Sequence, residues 1–201
     1  MIRALLFDLG NVLLYFSHER ACEQMGRLCG VEAGRIREIV FESGLEWQYE
    51  RGSLTTEQFH RRFEEAVGRA VPADELTRAG CEIFWPNLTM EPVVRGLAES
   101  EHRLVLLSNT NVAHFEFVER EYPILESFPS RVLSYEVGAC KPDPKIFAAA
   151  TEAAGCESCE CFYIDDVPEY VEAACALGFD AVVYTDTPSL IQELARRQVE
   201  M

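Results

Sequence analysis

Positive charge is scarce in this sequence. Eighteen Lys and Arg stand against 34 Asp and Glu, a formal net charge of −16 over 201 residues. Such a surface repels nucleic acid and anionic membranes, so neither is expected as a partner. It also disfavours anionic substrates at long range, so an enzyme acting on one needs a local concentration of positive charge. Long apolar runs are missing too. None reaches the roughly 18–20 residues of a membrane span. The first apolar stretch, Ile2 to Phe7, is too short for a secretory signal and lacks a small-residue cleavage site, which makes the cytoplasm the expected location. Internal repeats and low-complexity tracts are absent. Paired metal-ligand cysteines are absent as well. Of eight cysteines, Cys156, Cys159 and Cys161 cluster, but no second pair and no neighbouring His completes a four-ligand zinc set. Cys156 and Cys161 are read as small apolar packers at a helix end and in a strand, and the cysteines as reduced.

What is present is a chain that is 48% hydrophobic, ample for a sizeable core. Ile2–Phe7 reads as a buried strand that stops at Asp8, with Gly10 and Asn11 breaking it. Residues 18 to about 85 read as consecutive helices, at 18–29, 33–42, 55–69 and 73–84, with no strand between them. From 90 onward the pattern alternates. Helices are expected near 90–100, 111–121, 143–154, 168–177 and 187–198, strands at 103–107, 160–164 and 180–184, and a short extended piece at 131–134. Short apolar strands alternating with helices predict a doubly wound α/β core around a parallel sheet. The expected layout is a core from 1–15 and 86–201, with a small all-helical cap, 16–85, inserted after the first strand.

Open parallel sheets bind ligands at the carboxyl ends of their strands. The residues there are Asp8, then Ser108-Asn109-Thr110, then Asp165-Asp166. Taken singly, each acid would serve equally as a cap for the following helix. Acids ending two different strands point instead to a hard cation such as Mg²⁺, which takes one or two carboxylates, water and substrate phosphate. Ser108-Asn109-Thr110 opens a helix, where backbone N–H groups and a hydroxyl form an anion site. Lys141, stiffened by Pro142 and Pro144, would supply the local positive charge if the fold brings it to the same edge.

These four segments, Phe7-Asp8-Leu9-Gly10-Asn11, Leu107-Ser108-Asn109-Thr110, Cys140-Lys141-Pro142 and Ile164-Asp165-Asp166, resemble in order the four motifs of the haloacid dehalogenase superfamily. The likeness runs over essentially the whole chain. It is nearest to the glucose-1-phosphate phosphatase-like members, at residues 8–12, at Glu50-Arg51-Gly52 with Glu57 and Phe59, and at 108–111. The resemblance implies a phosphatase of small phosphate monoesters, acting through an aspartyl-phosphate on Asp8. It implies Mg²⁺ held by Asp8, the Gly10 carbonyl and Asp166, with Asp165 assisting. Ser108, Asn109 and Lys141 would bind the phosphoryl group. Arg51, in the cap, is by its residue type either half of a surface ion pair or a contact to the rest of the substrate. The expected partner is a small phosphorylated metabolite, and the chain a monomer or homodimer.

Two departures stand out. Phosphatases of this superfamily usually carry a second Asp two residues after the nucleophile, which protonates the leaving oxygen; here that position is Gly10. The change fits a substrate with an easy leaving group, such as a sugar 1-phosphate. The alternatives are a 2-haloacid dehalogenase-like hydrolase, although such members usually carry Tyr-Gly-Thr after the nucleophile where this chain has Gly-Asn-Val, or a phosphate-ligand binder without turnover. Tyr15 and His18 are candidate replacement proton donors. The second departure is Tyr170, where the family commonly has Asn or Asp.

Overall fold

A computed structural model describes residues 1–200. Seven strands run in chain order: β1 (Ala4–Phe7), β2 (Leu14–Phe16), β3 (Phe84–Pro86), β4 (Arg103–Ser108), β5 (Ser130–Leu133), β6 (Cys161–Asp165) and β7 (Asp180–Val183). Five of them form one parallel sheet in the order β5-β4-β1-β6-β7. The chain leaves β1 first toward β4 and β5, then returns on its other side with β6 and β7. The switch point therefore lies at the carboxyl end of β1, as the α/β reading requires.

Alternation along each central strand explains why both faces are covered. Leu5, Phe7, Leu104, Leu106, Phe162 and Ile164 enter one apolar cluster. Their neighbours Ala4, Leu6, Val105, Leu107, Cys161 and Tyr163 enter another on the opposite face. Strands buried on both sides read as continuous apolar runs. Cys161 is fully buried in β6 and Cys156 packs against the same cluster; every cysteine is a free thiol.

Between β2 and β3 lies a helical insertion with its own core around Met25, Ile36, Phe63 and Leu76. Its helices are His18–Cys29, Ala33–Arg37 running into a π-helical turn Glu38–Glu42, Leu45–Glu50, Thr56–Val67 and Ala73–Cys81. Local chemistry sets the ends. Ser17 caps the first helix by accepting from the Arg20 N–H, and Thr55 and Gln58 form a reciprocal capping box on the fourth. Three features differ from the sequence expectation: an additional helix, an earlier end to the last one, and a short two-stranded ribbon. Leu45–Glu50 is an additional helix, and the last helix stops at Cys81 rather than 84. The chain then leaves as β3, because Pro86 cannot continue a helix and Phe84 and Trp85 pair across an antiparallel ribbon with Phe16 and Tyr15. No helix among the described residues is long and apolar enough to cross a membrane.

Candidate active site

Strand register assembles the site. Phe7 lies opposite Leu106 on one side and Ile164 on the other, so Asp8, Ser108 and Asp165 emerge together at one sheet edge. Asp8 continues the ladder by donating its N–H to the Ile164 carbonyl at 2.9 Å. Asp8, Asp165 and Asp166 each offer a carboxylate oxygen, and these oxygens lie within 4.8 Å of one another.

Lys141 reaches this cluster from the segment ahead of helix Pro144–Ala154. Its ammonium is buried and donates to Asp8 Oδ1 at 2.7 Å, to Asp165 Oδ2 at 2.6 Å and to the Leu107 carbonyl at 3.1 Å. Burial works against its charge, but Asp8 and Asp165 outweigh that and hold the ammonium well above its ordinary value. The Asn109 side chain braces the lysine backbone in both directions, accepting from its N–H at 2.7 Å and donating to its carbonyl at 3.1 Å. Tyr170 takes part as well. Its hydroxyl meets Asn109 Nδ2 at 3.4 Å, and its ring centroid lies 5.3 Å from the ammonium, with Tyr163 at 5.8 Å on another side. The lysine thus sits between two aromatic rings and two carboxylates, and the unusual Tyr170 is one of its supports.

The three acids are not equivalent. Asp165 is fully buried, and protein donors already serve it: Lys141, the Tyr163 hydroxyl and the Val167 N–H at 2.8 Å. Asp8 is pushed up by burial to about 7, against the pull of Lys141. Asp166 is half-buried, raised by burial, and accepts from Asn11 Nδ2 at 2.9 Å. Asn11 adopts a left-handed backbone (φ 53°), which Asn tolerates better than most residues. One ammonium therefore faces three carboxyls, which leaves an excess of negative charge and a set of hard oxygens. The Gly10 carbonyl adds another, since it accepts no hydrogen bond from the described residues. This donor set fits Mg²⁺, with Asp8, Gly10 and Asp166 offering the free oxygens and Asp165 occupied in holding the lysine.

Gly10 itself is closely covered. A Cβ there would lie 2.8 Å from Phe16 Cε1, so the Phe16 ring occupies the direction a side chain would take. The ring helps line a cavity of about 200 Å³ that opens over Asp8, Lys141 and the Ser108-Asn109-Thr110 turn. The helical insertion contributes Phe16, His18, Glu46, Glu50 and Ile83 to its walls. A second, mostly apolar cavity of about 250 Å³ shares Glu46, Ile83 and His114 with it and extends to Met25, Phe41 and Phe59.

The sequence-based candidates divide accordingly. Asp8, Gly10, Ser108, Asn109, Lys141 and Asp166 line the cavity over Asp8. Arg51 does not line it. Its Nε donates to the Gly138 carbonyl at 3.4 Å and its guanidinium stacks on the half-exposed Trp47 at 5.1 Å, so its head points along the insertion–core seam. Tyr15 is turned toward Trp85 in the ribbon. His18 does line the cavity, between Phe16 and Phe41, where burial lowers its basicity. Trp47 is half-exposed and lies outside the insertion's core.

Sequence reasoning missed Glu46, Glu50 and His114. The i, i+4 spacing of the two glutamates was available, but their helix was not expected, so the face they share could not be read. His114 is half-buried, pushed down to about 4 by desolvation, and meets the Gly80 carbonyl through Nε2 at 3.1 Å.

Comparison with known proteins agrees with this architecture. A family model described as haloacid dehalogenase-like hydrolase matches residues 2–178. The chain is 26% identical over 187 residues to a D-ribitol-5-phosphate phosphatase of Bacteroides thetaiotaomicron, covering 90% of each chain. It superposes with a TM-score of 0.83 on a HAD family enzyme of B. thetaiotaomicron solved in complex with magnesium and inorganic phosphate, at 30% identity and covering 94% and 99% of the two chains. A predicted HAD-like family hydrolase of Porphyromonas gingivalis superposes at 0.85 over the whole of both chains, at 24% identity.

Proposed function

Because the chain belongs to the haloacid dehalogenase-like hydrolase family, we propose that it is a Mg²⁺-dependent phosphatase of small phosphate monoesters, with Asp8 as nucleophile. The observation that carries this reading is the buried Lys141 ammonium bonded to Asp8 and Asp165 at the edge of the anion-binding turn. Together with the cation that the three acids would hold, it supplies the local positive charge that a chain of net charge −16 needs to hold a phosphate. The relatives named above, one a phosphatase and one solved with magnesium and phosphate, support it.

In this reading Asp8 attacks phosphorus and forms an aspartyl-phosphate, which water then hydrolyses. Lys141, the Ser108 hydroxyl and the Asn109 N–H hold the phosphoryl oxygens, so positioning and charge do most of the work. Asp8, the Gly10 carbonyl and Asp166 would hold Mg²⁺, which when bound neutralises charge between nucleophile and phosphate. Asp165 orients Lys141. Residues 16–85 form a cap that closes the cavity over the leaving group and excludes water. A sugar or polyol phosphate, a sugar 1-phosphate among them, suits a small cavity in which carboxyls, Lys141 and Asn109 stand beside apolar walls. The partner is then a small phosphorylated metabolite.

The test is phosphate release with Mg²⁺ from p-nitrophenyl phosphate and a panel of sugar and polyol phosphates, beside halide release from 2-chloropropionate. Asp8→Asn abolishes phosphate release. An Asp8→Asn protein as active as the wild type refutes the nucleophile, and halide release without phosphate release refutes the phosphatase. Thermal stabilisation by phosphate with no turnover would make the chain a binder.

A further inference from the structure

Alkyl phosphates need a proton on their leaving oxygen, and position 10 cannot provide one because a glycine stands there under the Phe16 ring. The cavity over Asp8 nevertheless contains acids from the other wall. Glu46 and Glu50 sit one turn apart on helix Leu45–Glu50, and both line the cavity that Asp8 and Lys141 line. We infer that Glu50 is the general acid and base of this site, supplying from the insertion the carboxyl that Gly10 lacks. The inference rests on the phosphatase reading above.

Three observations place Glu50 ahead of the alternatives. First, its backbone is tied to the core. The Ser134 hydroxyl, itself fully buried beside the Thr110 N–H at 2.9 Å, reaches the Glu50 carbonyl at 2.7 Å. Two residues on, Gly52 packs so tightly on Tyr135 that a Cβ would lie 2.1 Å from its carbonyl oxygen. The helix end carrying Glu50 is thus held against the anion-binding turn. Second, among the described residues its carboxyl has no protein hydrogen-bond donor and no salt bridge, so its oxygens are free to serve a ligand. Third, burial pushes it up to about 7, with Lys141 as the one charge pulling it down. A carboxyl in that range can give a proton and take it back near neutral pH.

Its neighbours support the assignment. Glu46, raised well above its usual value by burial and by Glu50, faces His18 at 4.0 Å, and burial lowers that histidine's basicity. His114 is neutral and hydrogen-bonded to Gly80. The remaining titratable groups facing the cavity are Asp8, Asp166, Lys141 and Tyr170, with Cys140 beside Glu50.

The chemistry balances. As Asp8 Oδ bonds to phosphorus, the P–O bond to the leaving group breaks, and its electron pair takes the Glu50 proton to give a neutral alcohol. The Glu50 carboxylate then removes a proton from water, whose oxygen bonds to phosphorus as the acyl-phosphate P–O bond breaks. Inorganic phosphate and the Asp8 carboxylate are released, and Glu50 is protonated again.

The experiment compares Glu50→Gln, Glu50→Asp, Glu46→Gln and Asp8→Asn on p-nitrophenyl phosphate, which leaves as a stable phenolate, and on the fastest alkyl phosphate of the panel. Glu50→Gln is expected to lower kcat/KM on the alkyl ester by about 10²–10⁴-fold and on the aryl ester by less, so the alkyl-to-aryl ratio collapses. It also removes the alkaline fall of the alkyl pH profile. Glu50→Asp keeps that limb at a reduced rate, which separates chemistry from misfolding. An unchanged ratio in Glu50→Gln overturns the inference, as does a collapse in Glu46→Gln alone. Full activity of Asp8→Asn would instead overturn the phosphatase mechanism on which it rests.

Discussion

Asp8 makes the metal-free protein lose stability between mildly acidic and neutral pH, and the size of the effect follows from its burial. Its carboxyl is raised from the usual 3.8 to about 7 in the folded chain. A group that binds its proton more tightly when folded contributes fully below the unfolded value and loses that contribution as pH rises through the folded one. At about 1.36 kcal/mol per pH unit, the ceiling is about 4 kcal/mol, lost between about pH 4 and pH 7. Asp8→Asn removes this titration and keeps the side chain's size. The assay is urea unfolding in a chelating buffer at pH 4.5 and 7.5, for wild type and variant. Wild type should lose more stability than the variant between the two pH values, by up to about that ceiling, with Glu46 and Glu50 contributing equally to both. Saturating Mg²⁺ should shrink the difference, because a cation on Asp8 competes with its proton. Equal pH slopes in the two proteins, or a steeper slope in Asp8→Asn, would refute the reasoning.

Three further outcomes are expected. Ser134→Ala strips the Thr110 N–H of its acceptor and the Glu50 carbonyl of its donor, and at about 1–3 kcal/mol per unsatisfied buried group urea titration should show a loss of about 2 kcal/mol or more. Gly52→Ala forces a left-handed residue (φ 70°) against Tyr135, costing about 1–2 kcal/mol for the backbone alone, and should lower kcat/KM by moving the Glu50 helix off the core. Asn11→Ala frees the Asp166 carboxylate, and the Mg²⁺ concentration for half-maximal activity should rise by about 10–100-fold.

The sheet was legible because its strands are short apolar runs that end in polar residues, and a parallel sheet puts those ends at one edge. Asp8, Ser108 and the 165–166 pair could be located on that rule alone. Lys141 could be found only through its motif, yet the composition carried a clue: the chain has two lysines, Lys141 and Lys145, and leaves its other positive charge to arginine. The ribbon β2–β3 was not legible, since three-residue strands are too short for alternation and their partners lie some seventy residues apart. For the same reason the sequence could not tell which side of the insertion faces Asp8. Arg51 looked suited to a substrate, but its guanidinium stacks on Trp47, while the acid just before it lines the cavity. Asp165, given an assisting part in the metal site by the resemblance, keeps a carboxylate oxygen within 4.8 Å of those of Asp8 and Asp166 while Lys141, Tyr163 and the Val167 N–H also reach it, a division of its oxygens that the sequence does not display.

The contact between Gly10 and Phe16 also bears on how this site can change over generations. Placing a carboxylate at position 10 meets the aromatic ring before it meets any substrate, so the substitution on its own should be a loss, and trimming Phe16 on its own would only open a gap beside the nucleophile. Each change is favourable only on the background of the other. Two alternative sources of the same proton are thus separated by a valley of poorer enzymes, and a lineage that has come to rely on the acid across the cleft would be kept there by the ring.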